Sequence, residues 1–221
     1  MSGPRLLDRF AVYGRFYRAE IAGCDESLRD RLEIAPRDWS LARIAQRQPE
    51  LLVVMMNPGG SRPCDPADDA PGASPRLVPA VPDRTQYQIM RLLLAAQASG
   101  RAWQHARVVN LSDLRTPRSA DMLHKLGRYA QDDRHSLFGR SRGADCRAVF
   151  AESQVPVVLA WGLHPGLAMW ARLALAASQG HPRFGISTDG VSFRHPLPQR
   201  QDLQLRWLAE VGAQIAAFPA A

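Results

Sequence analysis

Two short stretches place residues that can do chemistry directly after apolar runs. Asn57-Pro58-Gly59-Gly60 follows the run from Leu51 to Met56, and Asn110 lies within the shorter run from Val108 to Leu111. An amide side chain offers both a donor and an acceptor, so it can orient a water molecule or read the edge of a ligand. Near the C-terminus, His195-Pro196-Leu197-Pro198 adds an imidazole that can exchange a proton near neutral pH. Two amides and one imidazole are therefore the first candidates for a site.

Each of these motifs has a plainer explanation when it is taken alone. Asn-Pro-Gly is a common turn, and an Asn after a strand often caps the following helix. His195 by itself is compatible with an ordinary surface histidine. It is the order and combination of the motifs along the chain that favour a shared site.

The segments around these residues alternate between strand and helix. The apolar runs Leu51 to Met56, Val108 to Leu111 and Val155 to Trp161 suit parallel strands that are buried on both faces. Helical spacing of apolar residues is predicted over 39–48, 86–99, 164–177 and 201–218. This alternation predicts an α/β fold, in which ligands bind at the carboxyl ends of the strands. Asn57, Asn110 and His195 are expected to meet there.

The length of 221 residues suits a single domain over 1–221. Within it, residues 1–48 are predicted to add an N-terminal hairpin and a helix to the main sheet. Residues 59–84 hold six prolines and few apolar side chains, and are predicted to form a long loop that acts as a lid.

Composition narrows the choice of partners and compartment. The net charge is +7 and the isoelectric point about 10.1, which favours a polyanionic partner. Three widely spaced cysteines form no Cys-x-x-Cys pair, so no metal site and no cofactor are predicted. No signal peptide and no membrane segment are predicted, which points to the cytoplasm. With DNA as the partner, a monomer associated with the nucleoid is expected.

The motifs resemble those of a known superfamily. Met56-Asn57-Pro58-Gly59 resembles the first motif of the uracil-DNA glycosylase superfamily, above all in its mismatch-specific and single-strand-selective branches. The His195 loop resembles the second motif, a His-Pro-Ser-Pro-type loop in which Leu197 here takes the place of Ser. A closer local likeness is to a family of small bacterial proteins of unknown function. They share the layout Asn-Pro, Val-Asn-Leu, Ala-Trp-Gly and His-Pro-Leu.

These likenesses span roughly residues 50 to 200 and imply a three-layer α/β/α sandwich with a mostly parallel four-stranded central sheet. They also imply a monofunctional DNA glycosylase that hydrolyses the N-glycosidic bond of uracil or a 5-modified pyrimidine. The setting would be base repair or the removal of modified phage bases, with single- or double-stranded DNA as the partner. Such an enzyme must take the base out of the stack before it can cut the bond.

The resemblance assigns a role to each matching residue. Asn57 would hold the attacking water, and His195 would donate to the departing base. Gly59, Tyr87 and Asn110 would bind the base, with Tyr87 stacking on it and Asn110 reading its edge. The remaining matches would contact DNA, Leu197 as a wedge and the arginines at phosphates: Arg115, Arg118, Arg194, Leu197, Pro198 and Arg200.

Two other hypotheses stay open at this point. The chain can be a nucleic-acid-binding module that has a glycosylase-like fold but no catalytic activity. It can also be an enzyme or a sensor that acts on free nucleosides or nucleotides.

Overall fold

One sheet of eight strands organises the chain in the computed structural model, which describes residues 5–151 and 154–219. The single domain predicted over 1–221 therefore includes a few residues outside the described ranges. The strands are β1 (Phe10–Ile21), β2 (Cys24–Pro36), β3 (Leu51–Met55), β4 (Arg62–Pro63), β5 (Leu77–Val81), β6 (Ala106–Asn110), β7 (Val157–Ala160) and β8 (Arg183–Phe184). The α-helices are α1 (Leu6–Arg9), α2 (Leu41–Gln46), α3 (Arg84–Ala98), α4 (Ser119–Arg128), α5 (Gly143–Val149), α6 (Ala168–Ala177) and α7 (Gln201–Ala217).

The strand order is β4-β5-β1-β2-β6-β3-β7-β8. Strands β6, β3, β7 and β8 run parallel to one another, whereas β2 joins β6 in the antiparallel sense. The predicted α/β class is confirmed, but the predicted four-stranded sheet is wrong. The sheet is mixed and has eight strands, because the N-terminal hairpin pairs with β6, and β5 and β4 extend the sheet beyond β1.

The hairpin of β1 and β2 is long and tightly turned. Its register runs from Phe10 opposite Pro36 to Ile21 opposite Cys24. The two residues between the strands, Ala22 and Gly23, have φ angles of 46° and 78°. Positive φ at both positions is the geometry of the tight hairpin turn whose twist matches the strands.

The core has two halves because β3 is buried on both faces. Leu51, Val53 and Met55 belong to the cluster that includes residues of α3 and α7. Leu52 and Val54 belong to the cluster that includes residues of α4 and α6. Side chains alternate between the faces of a strand, so a continuous apolar run is what a strand covered on both sides requires. Helices therefore pack on both faces of the parallel strands.

The segment from 59 to 84 is not one long loop. It contains β4, a short 3-10 turn over Pro66–Asp69 and β5, and β5 pairs with β1 at the edge of the sheet. Arg115, in the segment after β6, fixes this region by two contacts. Its Nε donates to the Ser61 carbonyl oxygen at 2.7 Å, and its Nη1 lies 2.5 Å from Asp69 Oδ2. The proline-rich region is thus a structured edge of the sheet.

A buried ion cluster joins the antiparallel hairpin to the parallel strands. Glu33 of β2 accepts hydrogen bonds from His105 Nε2 at 2.7 Å and Arg107 Nε at 2.7 Å, and also pairs with Arg31. Burial alone would raise the pKa of the Glu33 carboxyl, but these three partners hold the pKa below its ordinary value. The charge on Glu33 therefore stabilises the junction of β2 and β6.

Glu33→Ala is expected to lower the free energy of unfolding by about 3–5 kcal/mol, because it leaves buried cationic partners uncompensated. Urea unfolding measured by circular dichroism checks this. The matched control is Glu210→Ala, which removes an exposed pair with Arg206 and is expected to cost less than about 1 kcal/mol. Equal shifts in the two variants would contradict a special role for the junction.

Candidate active site

Asn57 follows β3 and is fixed by the segment that follows β6. Its Nδ2 donates to the Leu114 carbonyl oxygen at 3.2 Å and the Thr116 carbonyl oxygen at 2.9 Å, and lies 3.0 Å from Thr116 Oγ1. These acceptors define which end of the amide is nitrogen. Within the described residues, Oδ1 has no hydrogen-bond partner, so it is left as an acceptor for a ligand or a water molecule.

His195 lies on the loop that leads into α7. A turn at 187–190 reverses the chain, and Gly162 N donates to the Phe193 carbonyl oxygen at 2.7 Å, so the loop begins at the end of β7. Gln88 of α3 donates to the Pro196 carbonyl oxygen at 3.3 Å and fixes the loop from the other side. The histidine is thus held between the sheet and α3.

The tautomer of His195 follows from its contacts. The backbone N–H of Leu197 donates to Nδ1 at 3.1 Å, so the proton of the neutral ring is on Nε2. Burial lowers the pKa of His195 below its ordinary value, and the nearby charge of Asp83 opposes this without reversing it. At neutral pH the ring is therefore uncharged and carries a donor at Nε2.

Asn57 and His195 line the same cavity, as the sequence leads us to expect of a shared site. Its volume is about 170 Å³. Cavities of about 150 Å³ accommodate one benzene ring, so this one has the size of a single six-membered ring. The lining residues are Arg29, Leu32, Met55, Met56, Asn57, Pro58, Gly59, Asp83, Thr85, Gln86, Ile89, Val108, Pro117, Ser119 and His195.

Asn110 lies behind the cavity and is completely buried. Its carboxamide satisfies both neighbours when it donates to the Asn57 carbonyl oxygen at 3.3 Å and accepts from Arg29 Nη2 at 3.2 Å. It is not among the residues that line the cavity. The structure therefore places Asn110 as a support for Asn57 and Arg29, one layer away from the position of a bound ring.

Gly59 lines the cavity in a conformation that few other residues adopt. Its φ angle is +61°, and a Cβ built there would meet no atom within 4 Å. A side chain at this position would be strained by the backbone and not by crowding. The wall of the cavity is therefore backbone at Gly59, which leaves room for a ligand.

Tyr87 and Leu197 are placed outside this cavity. Both line a neighbouring groove of about 580 Å³ between α3 and the start of α7. Pro198 lines a third recess of about 210 Å³, which shares His195 with the cavity. Apart from the imidazole of His195, the lining has no aromatic ring, so a flat ligand would contact Met55, Met56 and prolines.

The four arginines predicted to contact phosphate fall into two groups. Arg118, Arg194 and Arg200 are exposed, and Arg200 forms an exposed pair with Asp202. Arg115 is different, because its side chain is only 13 % exposed and its donors are used by Ser61 and Asp69. Arg115 fixes the sheet edge and is not placed to reach a phosphate.

Sequence reasoning missed two charged residues of the cavity, Arg29 and Asp83. Arg29 is on β2 and is 3 % exposed. Asp83 caps α3, where its Oδ1 accepts from Thr85 N and Gln86 N at 2.9 Å each. The spacing from Asp83 to Gln86 is that of a capping box, a local signal that could have placed the start of α3 here. No comparable local signal marks Arg29.

No protein-family model matches this sequence, and neither a curated protein nor a solved structure is significantly similar to it.

None of the helices in the described ranges has the length and apolar character that crossing a bilayer requires. Within the same ranges, no group of three or more His, Cys, Asp or Glu side chains is placed to hold a metal ion. The function has to be argued from the cavity itself.

The tautomer and pKa of His195 can be measured directly. In ¹⁵N-edited spectra we expect the Nε2–H form and a titration midpoint below the ordinary value of 6.5, because the half-buried ring is partly removed from water, which disfavours its charged form. The variant His195→Gln identifies the resonance. A midpoint at or above 6.5, or a proton on Nδ1, would contradict the hydrogen-bond assignment.

Proposed function

We propose that the protein is a monofunctional DNA glycosylase that removes uracil or a 5-modified pyrimidine. The observation that carries the proposal is that Asn57 and His195 line one cavity of about 170 Å³, with Asn57 Oδ1 unengaged within the described residues and His195 neutral. An acceptor for water and a donor for a departing base are the two groups that hydrolysis of this bond needs. The parallel strands with helices on both faces are compatible with a glycosylase-like sandwich.

The cavity supports a pyrimidine better than a larger ligand. Its volume suits one six-membered ring, and a whole nucleotide would have to leave its sugar and phosphate outside. That arrangement is what an extruded base requires, since the base enters the pocket while the backbone stays at the surface. In this proposal Met55 and Met56 contact the faces of the ring through their polarisable side chains. Asn110 acts indirectly, by positioning Asn57 and Arg29.

The role of Asn57 is limited by its chemistry. A carboxamide is not a base at neutral pH, so Asn57 Oδ1 can orient a water molecule but cannot remove its proton. The bond between C1′ and the base nitrogen must therefore break first, with both electrons left on the base. Water then adds its oxygen to the cationic C1′, and the proton it releases returns to the base anion through solvent.

His195 acts on the other product of this step. As the bond breaks, negative charge develops on the ring nitrogen of the base and on its carbonyl oxygens. The Nε2–H of His195 is a donor that is already oriented before the reaction, and such a donor typically contributes a factor of ~10²–10³ to the rate. A neutral donor suits this role. It stabilises the base anion as the bond breaks, but it does not attract other anions to the site before the reaction, as a positively charged imidazole would.

The surface around the cavity fits a nucleic acid strand. Arg84 and Arg91 line the groove that also contains Tyr87 and Leu197. Arg118 is exposed and lies in sequence between Pro117 and Ser119, which line the cavity. Phosphate contacts by exposed arginines make binding weaken steeply with salt. In this proposal Leu197 enters the gap left by the base, and the groove holds the flanking strand.

Excision is tested with otherwise identical single- and double-stranded oligonucleotides that carry one uracil, followed by alkali. Strand cleavage is expected with the parent protein. Asn57→Ala is expected to abolish cleavage and to spare DNA binding measured by anisotropy, because Asn57 contacts water and not phosphate. Gln131→Ala, which removes an exposed amide outside the cavity, serves as the control and should retain activity.

The outcomes separate the competing hypotheses. DNA that is bound but never cut would favour a binding module over an enzyme. The absence of DNA binding at low salt would favour a protein for free nucleosides or nucleotides. Full activity of Asn57→Ala would remove the mechanism proposed here even if uracil is excised.

Space beside the ring is expected to admit a 5-substituent. Gly59 lines the cavity and Gly60 follows it in the chain. A Cβ at Gly60 would lie 3.7 Å from the Cβ of Pro117, a lining residue, which is an ordinary contact. Gly60→Tyr is therefore expected to fold and to narrow the mouth. It should slow excision of 5-hydroxymethyluracil more than excision of uracil, measured in single-turnover assays.

The matched control for this change is Gly127→Tyr, where an added Cβ meets no atom within 4 Å and the position lies outside the site. It should leave the preference between the two bases unchanged. Cleavage confined to uracil, with Gly60→Tyr behaving like the parent, would show that no space beside the ring is available.

A further inference from the structure

Arg29 and Asp83 are the two residues with formal charges that line the cavity, since His195 is neutral. Arg29 is contributed by β2 and Asp83 by the start of α3, so they come from different elements. Their charges attract each other, yet within the described residues neither forms a salt bridge of 4.0 Å or less with any partner. The cavity therefore contains two opposite charges that do not neutralise each other by contact.

Arg29 is unusual because its charge is buried without a carboxylate in contact. Only 3 % of the residue is exposed, Nη2 donates to the Asn110 carboxamide, and Nε is buried without a partner. Burial lowers the pKa of Arg29 to about 10, although the charges of Asp83, Asp113 and Asp30 oppose this, and the side chain is still cationic at neutral pH. An unpaired buried charge costs several kcal/mol. Such a cost suggests that the missing partner is a ligand.

Asp83 has one oxygen committed and one available. Oδ1 accepts from the backbone N–H groups of Thr85 and Gln86, which fixes the carboxylate at the start of α3. Within the described residues Oδ2 has no hydrogen-bond partner. The carboxylate is thus oriented by the helix, and Asp83 is one of the residues that line the cavity.

We propose that Arg29 and Asp83 are two further catalytic residues that bind opposite halves of the dissociating substrate, Arg29 the departing base and Asp83 the sugar. This inference rests on the proposed glycosylase activity and extends it. When the C1′–N bond breaks, the electron pair stays on the base, which becomes an anion, and the sugar becomes a cation. Each product thus meets a charge of opposite sign that was in place before the reaction.

The charges of Arg29 and Asp83 stabilise the transition state more than they stabilise the bound substrate. The intact nucleoside is neutral, so neither residue gains a full charge partner in the ground state. Charge separation in a small cavity is unfavourable unless fixed charges or dipoles of the protein stabilise it, and charges that are already in place need no reorganisation. Asp83 also supplies what Asn57 lacks, because a carboxylate stabilises an adjacent cation and a carboxamide does not.

A leaving-group series tests Arg29 in a way that a structural role would not reproduce. Arg29→Met is expected to slow excision of uracil by ~10²–10³ and excision of 5-fluorouracil by a smaller factor. The reason is that fluorine already stabilises the departing anion. Arg29→Lys should recover part of the rate because it keeps the charge. Arg62→Met, at an exposed arginine outside the cavity, is the matched control.

Asp83→Asn tests the other charge while keeping the helix cap, since Asn caps a helix as well as Asp. It is expected to slow excision of uracil and 5-fluorouracil by the same factor, because the sugar cation is common to both. The matched control is Asp65→Asn at the cap of the 3-10 turn. A loss that depends on the leaving group would contradict a role at the sugar.

Binding experiments test the same assignment without any turnover. Barbiturate, a pyrimidine ring that is anionic at neutral pH, should bind the parent more tightly than uracil does, and Arg29→Met should abolish that preference. A single-stranded oligonucleotide with a cationic pyrrolidine in place of one sugar should bind more tightly than one with neutral tetrahydrofuran. Asp83→Asn should abolish this second preference.

The two sets of measurements distinguish the inference from the function on which it rests. If no base is excised but both binding preferences exist and depend on Arg29 and Asp83, the charge assignment holds and the glycosylase proposal fails. If uracil is excised but the parent shows neither preference, or if the variants keep both, the charge assignment is overturned.

Discussion

The candidate site depends on the three contacts of the Asn57 amide nitrogen with Leu114 and Thr116. They connect the end of β3 to the segment after β6. These two strands are parallel neighbours in the sheet, and without such contacts the segments that follow them would not be held together at this point. The same contacts fix the direction of Oδ1, because a nitrogen among carbonyl oxygens cannot exchange places with an oxygen without losing its hydrogen bonds. Asn110 then holds the Asn57 carbonyl oxygen from behind. The Asn-Pro-Gly turn, which is common in sequences, is therefore fixed in this fold, and its Asn57 side chain has a defined orientation.

The cavity lies where two kinds of strand pairing meet. On one side β2 joins the sheet in the antiparallel sense and contributes Arg29 and Leu32, and on the other side the parallel strands contribute Met55 and Val108. Because β2 runs antiparallel to β6, the chain before Leu32 lies towards the carboxyl ends of the parallel strands, and Arg29 reaches the cavity from there. The buried cluster around Glu33 stabilises this junction. The N-terminal hairpin is thus part of the site and not an addition to it.

The parts of the fold and of the site that could be predicted from the sequence are those marked by patterns of neighbouring residues. The apolar runs that lead to Asn57 and Asn110 are local, so these strand ends could be located, and the loop at His195 likewise. The pairing of β2 with β6 joins residues that are far apart in sequence. The alternating pattern of β2 predicts a strand but not the strand with which it pairs, so Arg29 could not be placed in the cavity. Tyr87 shows a different limit. Each helical residue turns about 100° around the axis, so Gln86 faces the cavity while Tyr87 faces the adjacent groove.

The separation of Arg29 from Asp83 is itself a property of the fold. Opposite charges that were free to move would pair, and pairing would both fill the cavity and remove its electrostatic field. Each charge is instead held by its own element: Arg29 by Asn110 on the sheet, and Asp83 by the first two N–H groups of α3. The distance between sheet and helix is set by apolar packing in which Ile89 and Leu93 contact the core. Packing energy therefore maintains the charge separation, and a ligand that brings its own charges can neutralise it only by entering the cavity.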